Sequence, residues 1–238
     1  MKALRTFANR GAAGRELARE LIKRHFVDPV VLALPRGGVP VAVEIAKALN
    51  APLDLVLVRK IGVPVQPELA AAAVVDGGEP EIVINDEVVS LAGLDWDFID
   101  QEARRQLVEI ERRRQAYIGD CARVPLEGRT LIVVDDGIAT GASMRAALKA
   151  LKRRRPKALV LAVPVAPADT VEALRREVDQ LICLSTPEPF HAIGLNYVDF
   201  HQLSDQEVMR SLQVLKDKAA AKPGADGSGD VGASASVK

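Results

Sequence analysis

The tightest constraint on this chain lies in residues 131–143, Leu-Ile-Val-Val-Asp-Asp-Gly-Ile-Ala-Thr-Gly-Ala-Ser. Four apolar residues with β-branched members read as a buried parallel strand. Two adjacent carboxylates, Asp135 and Asp136, stand where that strand ends. A Gly/Thr/Ser-rich turn, Gly137 to Ser143, then leads into a helix-forming run from Met144 to Leu151. Such a turn presents backbone N–H groups, hydroxyls and the positive end of a helix dipole, which together hold a phosphate monoester. Acids beside that cradle repel a second phosphate but suit vicinal hydroxyls or a metal-bound sugar. The local chemistry asks for a ribose 5-phosphate.

The remaining pattern sets this segment in an alternation of strands and helices. Leu17, Leu21 and Ile22 recur at helical spacing and predict a helix over 15–26. Val30 to Leu34 is a short apolar run halted by Pro35-Arg36-Gly37-Gly38, and Pro40 suits the first turn of a helix reaching about Leu49. Strands are expected at 53–58, 81–85, 158–163 and 180–185, with helices at 97–117 and 168–178. Residues 59–80, rich in Gly and Pro with an alanine run, show no clear period. The alternation predicts an α/β fold with a doubly wound, largely parallel sheet, in which ligands bind at the carboxyl ends of the strands.

Composition narrows the function classes. Lys+Arg and Asp+Glu balance at 32 each, so no global field favours nucleic acid or an anionic membrane. Arg112-Arg113-Arg114 and Arg153-Arg154-Arg155 are read as solvated helix faces or ends, without base-stacking aromatics. No apolar segment follows Met1 and no run reaches the length of a membrane span, which fits a cytoplasmic protein. Cys121 and Cys183 lie far apart without metal-ligand spacing, and Cys183 reads as a core residue. Residues 1–215 are expected to form one domain and residues 216–238, which lack large apolar side chains, a disordered tail.

Residues 131–143 resemble, position for position, the 5-phosphoribosyl-1-pyrophosphate (PRPP) motif of type I phosphoribosyltransferases. The resemblance implies that Asp135 and Asp136 hold the ribose 2- and 3-hydroxyls. Gly137, Ile138, Ala139, Thr140, Gly141, Ala142 and Ser143 would wrap the 5-phosphate. Pro35-Arg36-Gly37-Gly38 then matches a pyrophosphate loop, with Arg36, Gly37 and Gly38 as contacts and Arg36-Gly37 as the expected cis or strained peptide. By the same likeness, the stretch beginning Arg59-Lys60-Ile61-Gly62 would be a mobile lid, with Arg59 and Lys60 stabilising the departing pyrophosphate. Asp136 and Glu68 are the candidate general bases. Mg²⁺ is implied, carried mainly by substrate oxygens and water, with Asp135 or Asp136 the available protein carboxylate.

Together with Pro-Glu-Leu-Ala at 67–70, Glu188-Pro189-Phe190 and Tyr197-Val198-Asp199-Phe200, the chain from 5 to 212 resembles a bacterial phosphoribosyltransferase subgroup recognised by motif, which dictates no acceptor. A variable hood over the acceptor is expected from 4–14, from 187–212, or from both. Phe190 and His191 are candidate acceptor contacts, while Tyr197 and Phe200 are read as packing residues. Hypoxanthine-guanine enzymes carry an acid where Ala139 stands, so the spelling is more similar to adenine or orotate enzymes. The expected partners are PRPP and a small-molecule acceptor, with a homodimer admissible. A PRPP-sensing regulator without turnover is the alternative. A dinucleotide-binding oxidoreductase is not supported, because Pro-Arg-Gly-Gly-Val-Pro lacks the Gly-x-Gly-x-x-Gly spacing.

Overall fold

A computed structural model describes residues 5–76, 80–119 and 121–220. In chain order the first half holds α1 (Arg10–Ile22), β1 (Pro29–Ala33), α2 (Gly38–Leu49), β2 (Leu53–Leu55), β3 (Leu57–Val63), β4 (Gln66–Asp76), β5 (Pro80–Ile84) and α3 (Asp86–Ala92). The second half holds α4 (Trp96–Ile118), β6 (Thr130–Val134), α5 (Ala142–Arg153), β7 (Ala158–Val165), α6 (Ala168–Arg175), β8 (Gln180–Ser185), a 3₁₀ turn at Ile193–Asn196 and α7 (Asp205–Ala220).

Five strands form a parallel sheet in the order β2-β1-β6-β7-β8. Alternate side chains explain why both faces are covered. Val31, Ala33, Ile132, Val134, Val160 and Ala162 pack with α1, α2, α4 and α7. Val30, Leu32, Leu131, Val133, Leu159 and Leu161 pack with α5 and α6. The chain winds outward from β1 to β2, returns to β6, then winds outward to β8, so the strand order reverses between β1 and β6. That reversal opens a crevice at the carboxyl ends of these two strands. The loop after β1 carries Arg36, Gly37 and Gly38, and the loop after β6 begins with Asp135 and Asp136.

The stretch expected to be a structureless lid is an antiparallel sheet instead. β3 and β4 form a hairpin turning at 64–65, and β5 pairs along β4. One face, with Ile61, Val63, Ala72 and Val74, joins the α4 side of the core. The other, with Ala73, Val75 and Val83, packs on the α5 side. Both faces are apolar, so the alternation that marks a half-exposed strand is missing. The expected strand at 53–58 is likewise split, since only Leu53–Leu55 joins the parallel sheet.

A buried ionic cluster ties this second sheet to the first. The Arg114 guanidinium donates to Asp54 at 3.1 Å and Asp76 at 3.4 Å, and Arg123 also pairs with Asp76. Asp54 accepts further hydrogen bonds from the amides of Leu55 and Val124. Arg114 is therefore not on a solvated face. Its neighbours Arg112 and Arg113 do pair with Glu109 on the same helix, as surface charges would. Arg153 and Arg154 both pair with Glu81 of β5.

Helix boundaries follow capping groups. Asn9 accepts from the Ala12 amide, so α1 begins at Arg10, earlier than the apolar period alone implies. The last helix starts with a reciprocal box. The Glu207 carboxylate accepts from the Ser204 amide at 2.8 Å, and the Ser204 hydroxyl accepts from the Glu207 amide at 3.3 Å. These bonds to Ser204, with His201 beside them, pull the Glu207 carboxyl down to about 2. A depressed carboxyl stabilises the fold above its unfolded value and loses that contribution as pH falls through the folded one. The carboxylate's contribution therefore fades as pH falls from the ordinary carboxylate range towards about 2. Ser204→Ala should lower unfolding free energy by about 1 kcal/mol, measured by urea denaturation. α7 continues to Ala220, past the domain boundary expected at 215, and residues 221–238 of the expected tail lie outside the described residues.

Candidate active site

The loop after β6 is fixed at one end and open at the other. Ile138 is buried and its amide donates to the Val165 carbonyl at 2.9 Å, so Ile138 anchors the loop. Gly137 is also packed in, against Ile193 and Val165. Beyond them, Ala139, Thr140 and Ala142 are exposed and Ser143 is half-buried. Gly141 has φ 76°, a left-handed conformation that suits glycine, and it N-caps α5 without any side-chain cap. The first amides of α5, from Ala142 to Met144, thus have no capping side chain. The Thr170 hydroxyl donates to the Ala139 carbonyl at 3.0 Å and braces the loop from α6.

The loop after β1 meets the acid pair directly. Leu34 still pairs with Val134, and the Gly38 amide already returns to the Leu34 carbonyl. The reversal therefore falls within Pro35-Arg36, which is the cis peptide, one bond earlier than the expected Arg36-Gly37. A Cβ on residue 37 would lie 2.1 Å from Asp136 Oδ2, so only glycine lets the loop approach this closely. Arg36 is half-buried and, among the described residues, has no ion-pair partner. It lines a cavity of about 280 Å³ with Arg10, Gly37, Asp136, Phe200, Gln202 and Leu203.

Asp136 is not a free carboxylate. Arg10 Nε donates to Asp136 Oδ2 at 2.7 Å, its Nη1 donates to the His201 carbonyl, and its guanidinium lies 3.9 Å over the Phe200 ring. The Tyr197 hydroxyl donates to the Asp136 carbonyl, and Tyr197 stacks on Phe200. Phe7 pairs with this segment through the Asn196 carbonyl and the Val198 amide. The N-terminal segment and the residues after β8, the two pieces from which a hood was expected, thus pack on each other beside Asp136. Tyr197 and Phe200 pack as expected. Arg10 was not singled out from sequence, and no periodicity or motif marks it.

Burial and the neighbouring Asp136 charge push the Asp135 carboxyl well above the ordinary carboxylate range. Burial raises Asp136 as well, and the Arg10 hydrogen bond and charge pull it back. Asp135 Oδ1 accepts the Asp136 amide at 2.8 Å. The pair thus sets an acid held by arginine beside one whose charged form burial and its neighbour disfavour.

Arg59 and Lys60 are consecutive on a strand and point to opposite faces. Arg59 Nε donates to Gln106 of α4 at 2.9 Å. Lys60 lines a cavity of about 530 Å³ beside Thr140, Ala142, Arg145 and Lys149. The two side chains therefore have different neighbours. Glu68 is exposed near the hairpin turn, away from the acid pair's cavity. Phe190 and His191 line a third cavity of about 730 Å³, which they share with Ala139 and Thr140 of the motif loop.

Comparison with known proteins gives this geometry a family. The phosphoribosyl transferase domain matches residues 2–197. This chain belongs to that family. Proteins from two strains of Mycobacterium tuberculosis, provisionally named as phosphoribosyl transferases, are 46% identical over 209 residues, covering 88% of this chain and 47% of each relative. The chain spans about half the length of these curated relatives. The crystal structure of TT1426 from Thermus thermophilus is 40% identical, with a TM-score of 0.76, over 87% of this chain and 97% of that one. The phosphoribosyl transferase family thus has, in this member, the α/β fold with a mostly parallel central sheet anticipated from sequence. No described helix is long and apolar enough to cross a membrane.

Proposed function

We propose that this chain transfers the 5-phosphoribosyl group of PRPP to a small-molecule acceptor and releases pyrophosphate. The observation that carries this reading is the start of α5, uncapped by any side chain, set beside the Asp135–Asp136 pair at the point where the sheet order reverses. In this reading Thr140, Gly141, Ala142 and Ser143 hold the 5-phosphate, Asp135 and Asp136 face the ribose, and Arg36 with Gly37 and Gly38 receives the pyrophosphate. An acceptor ring nitrogen forms its bond to C1 while the C1–O bond breaks, and the electron pair leaves on pyrophosphate. Lys60, on the Thr140 side of the hairpin, serves the anion's phosphate end better than Arg59 does.

Among the described residues no three acidic, histidine or cysteine side chains converge on a metal position. A carboxylate pair with one member held by arginine fits Mg²⁺ that is carried by substrate oxygens, Asp135 being the available protein ligand. When bound, the ion offsets charge on the pyrophosphate. Because the Asp135 carboxyl is raised, PRPP affinity in Mg²⁺ should fall as pH drops from 8 towards the upper carboxylate range, followed by calorimetry. Asp135→Asn should weaken PRPP binding by about 1.5–3 kcal/mol and flatten that pH dependence.

Incubation with PRPP, Mg²⁺ and a panel of bases tests the proposal through pyrophosphate release. Release with any base supports it, and failure of PRPP to bind sinks it. The divergence of Arg59 and Lys60 favours one second reading, a sensor that binds PRPP without turnover. Tight Mg²⁺-dependent binding with no release would select it.

A further inference from the structure

The cavity of about 730 Å³ beyond the motif loop has a chemistry opposite to that of the phosphate seat. It opens among Ala139 and Thr140, the start of α6 at Pro167–Thr170, and the segment after β8 with Glu188, Phe190 and His191. Its residues leave the carboxyl edges of β6, β7 and β8, so it lies at the same edge of the sheet as the acid pair and shares Ala139 and Thr140 with the loop that follows that pair. No lysine or arginine is among its described lining residues, whereas two carboxylates, Asp169 and Glu188, are.

The hydrogen-bonding capacity of that lining is unbalanced. The Thr170 hydroxyl already donates to the Ala139 carbonyl, and Asp169 Oδ1 already accepts the Thr170 amide. Asp169 Oδ2 and both Glu188 oxygens remain as acceptors. Half-buried Phe190 supplies an apolar ring face on the same wall. A flat ring stacked there meets acceptors at its edge, and a carboxylate on that ring meets two like charges with no cation to offset them.

We propose that this cavity takes a planar, uncharged heterocycle whose edge presents N–H donors, an amino-substituted ring and not a carboxylated one. The inference rests on the ribosyl-transfer reading above and assigns its acceptor class. On transfer, the ring nitrogen that bonds to C1 gives up its proton to solvent, which reaches exposed Glu188 and His191.

The test uses the full chain with Mg²⁺. PRPP binding is measured first by calorimetry. Pyrophosphate release is then followed with adenine and cytosine as aminated rings, and with orotate and nicotinate as carboxylated rings. Ring binding is read in parallel by saturation-transfer NMR. The aminated rings should bind and react, and Glu188→Gln with Asp169→Asn should lower their kcat/KM about tenfold or more while PRPP affinity stays within twofold. Both acids are exposed, so these variants should fold, which circular dichroism checks. Preference for a carboxylated ring, or bound PRPP with neither aminated ring bound or turned over, overturns the acceptor class and leaves PRPP binding standing. Failure of PRPP to bind removes the parent reading and this inference together. Unchanged kinetics in the double variant also overturns it.

Discussion

Arg10→Met should cost about 3–5 kcal/mol of folding stability at neutral pH, because it strands Asp136 as a buried carboxylate without its partner. Both side chains are about nine-tenths buried, so solvent screens the pair little. The loss should depend on pH with a definite sign. Without Arg10, the Asp136 carboxyl is pushed further up by burial, and a carboxyl raised in the folded state favours that state when protonated. The penalty should therefore be small near pH 4 and grow as pH rises through the variant's folded value. Urea denaturation across that range measures it. Adding Asp136→Asn removes the stranded charge, so the double variant should recover part of the loss. A penalty equal at all pH values would show that Arg10 acts through packing on Phe200 alone.

Arg114→Met should be comparably damaging, by about 3–5 kcal/mol, for the same reason at a different place. Among the described residues it leaves Asp54 without an ion-pair partner, whereas Asp76 keeps Arg123. Asp54 stands on β2 and Asp76 ends β4, so the variant should loosen the junction between the two sheets. Amide hydrogen exchange should rise first in β2 and in the linker near Val124, whose amide Asp54 accepts. Arg112→Met, on the exposed side of the same helix, should stay within about 0.5 kcal/mol of the parent. Equal effects from the two would contradict the buried cluster.

The turn proposed to seat the phosphate was legible in sequence as a strand, turn and helix, because its parts are local. Asp135, Asp136 and the turn from Gly137 to Ser143 are contiguous, and a strand, turn and helix impose their own geometry. Within that turn, packing divided the labour: Gly137 and Ile138 anchor it, while Thr140 and Ala142 are exposed. The hood partners of the acid pair were hidden because they arrive from far along the chain. Arg10 meets Asp136 across 126 residues, and Tyr197 meets it across 61. The β3–β4 hairpin was hidden for another reason. The alanines at 70–73 fit either face of a strand and break the contrast on which a period-two reading depends. Arg114 directly follows Arg112 and Arg113 in sequence, and only the turn of the helix separates it from them.

That the uncapped start of α5 seats the 5-phosphate is the central claim, and titrating ¹⁵N-labelled protein with ribose 5-phosphate tests it most directly. The amide signals of Thr140, Gly141, Ala142, Ser143 and Met144 should move most, with the Ile138 amide, bonded to Val165, moving least within the loop. Saturating shifts elsewhere with those five signals unmoved would contradict the site.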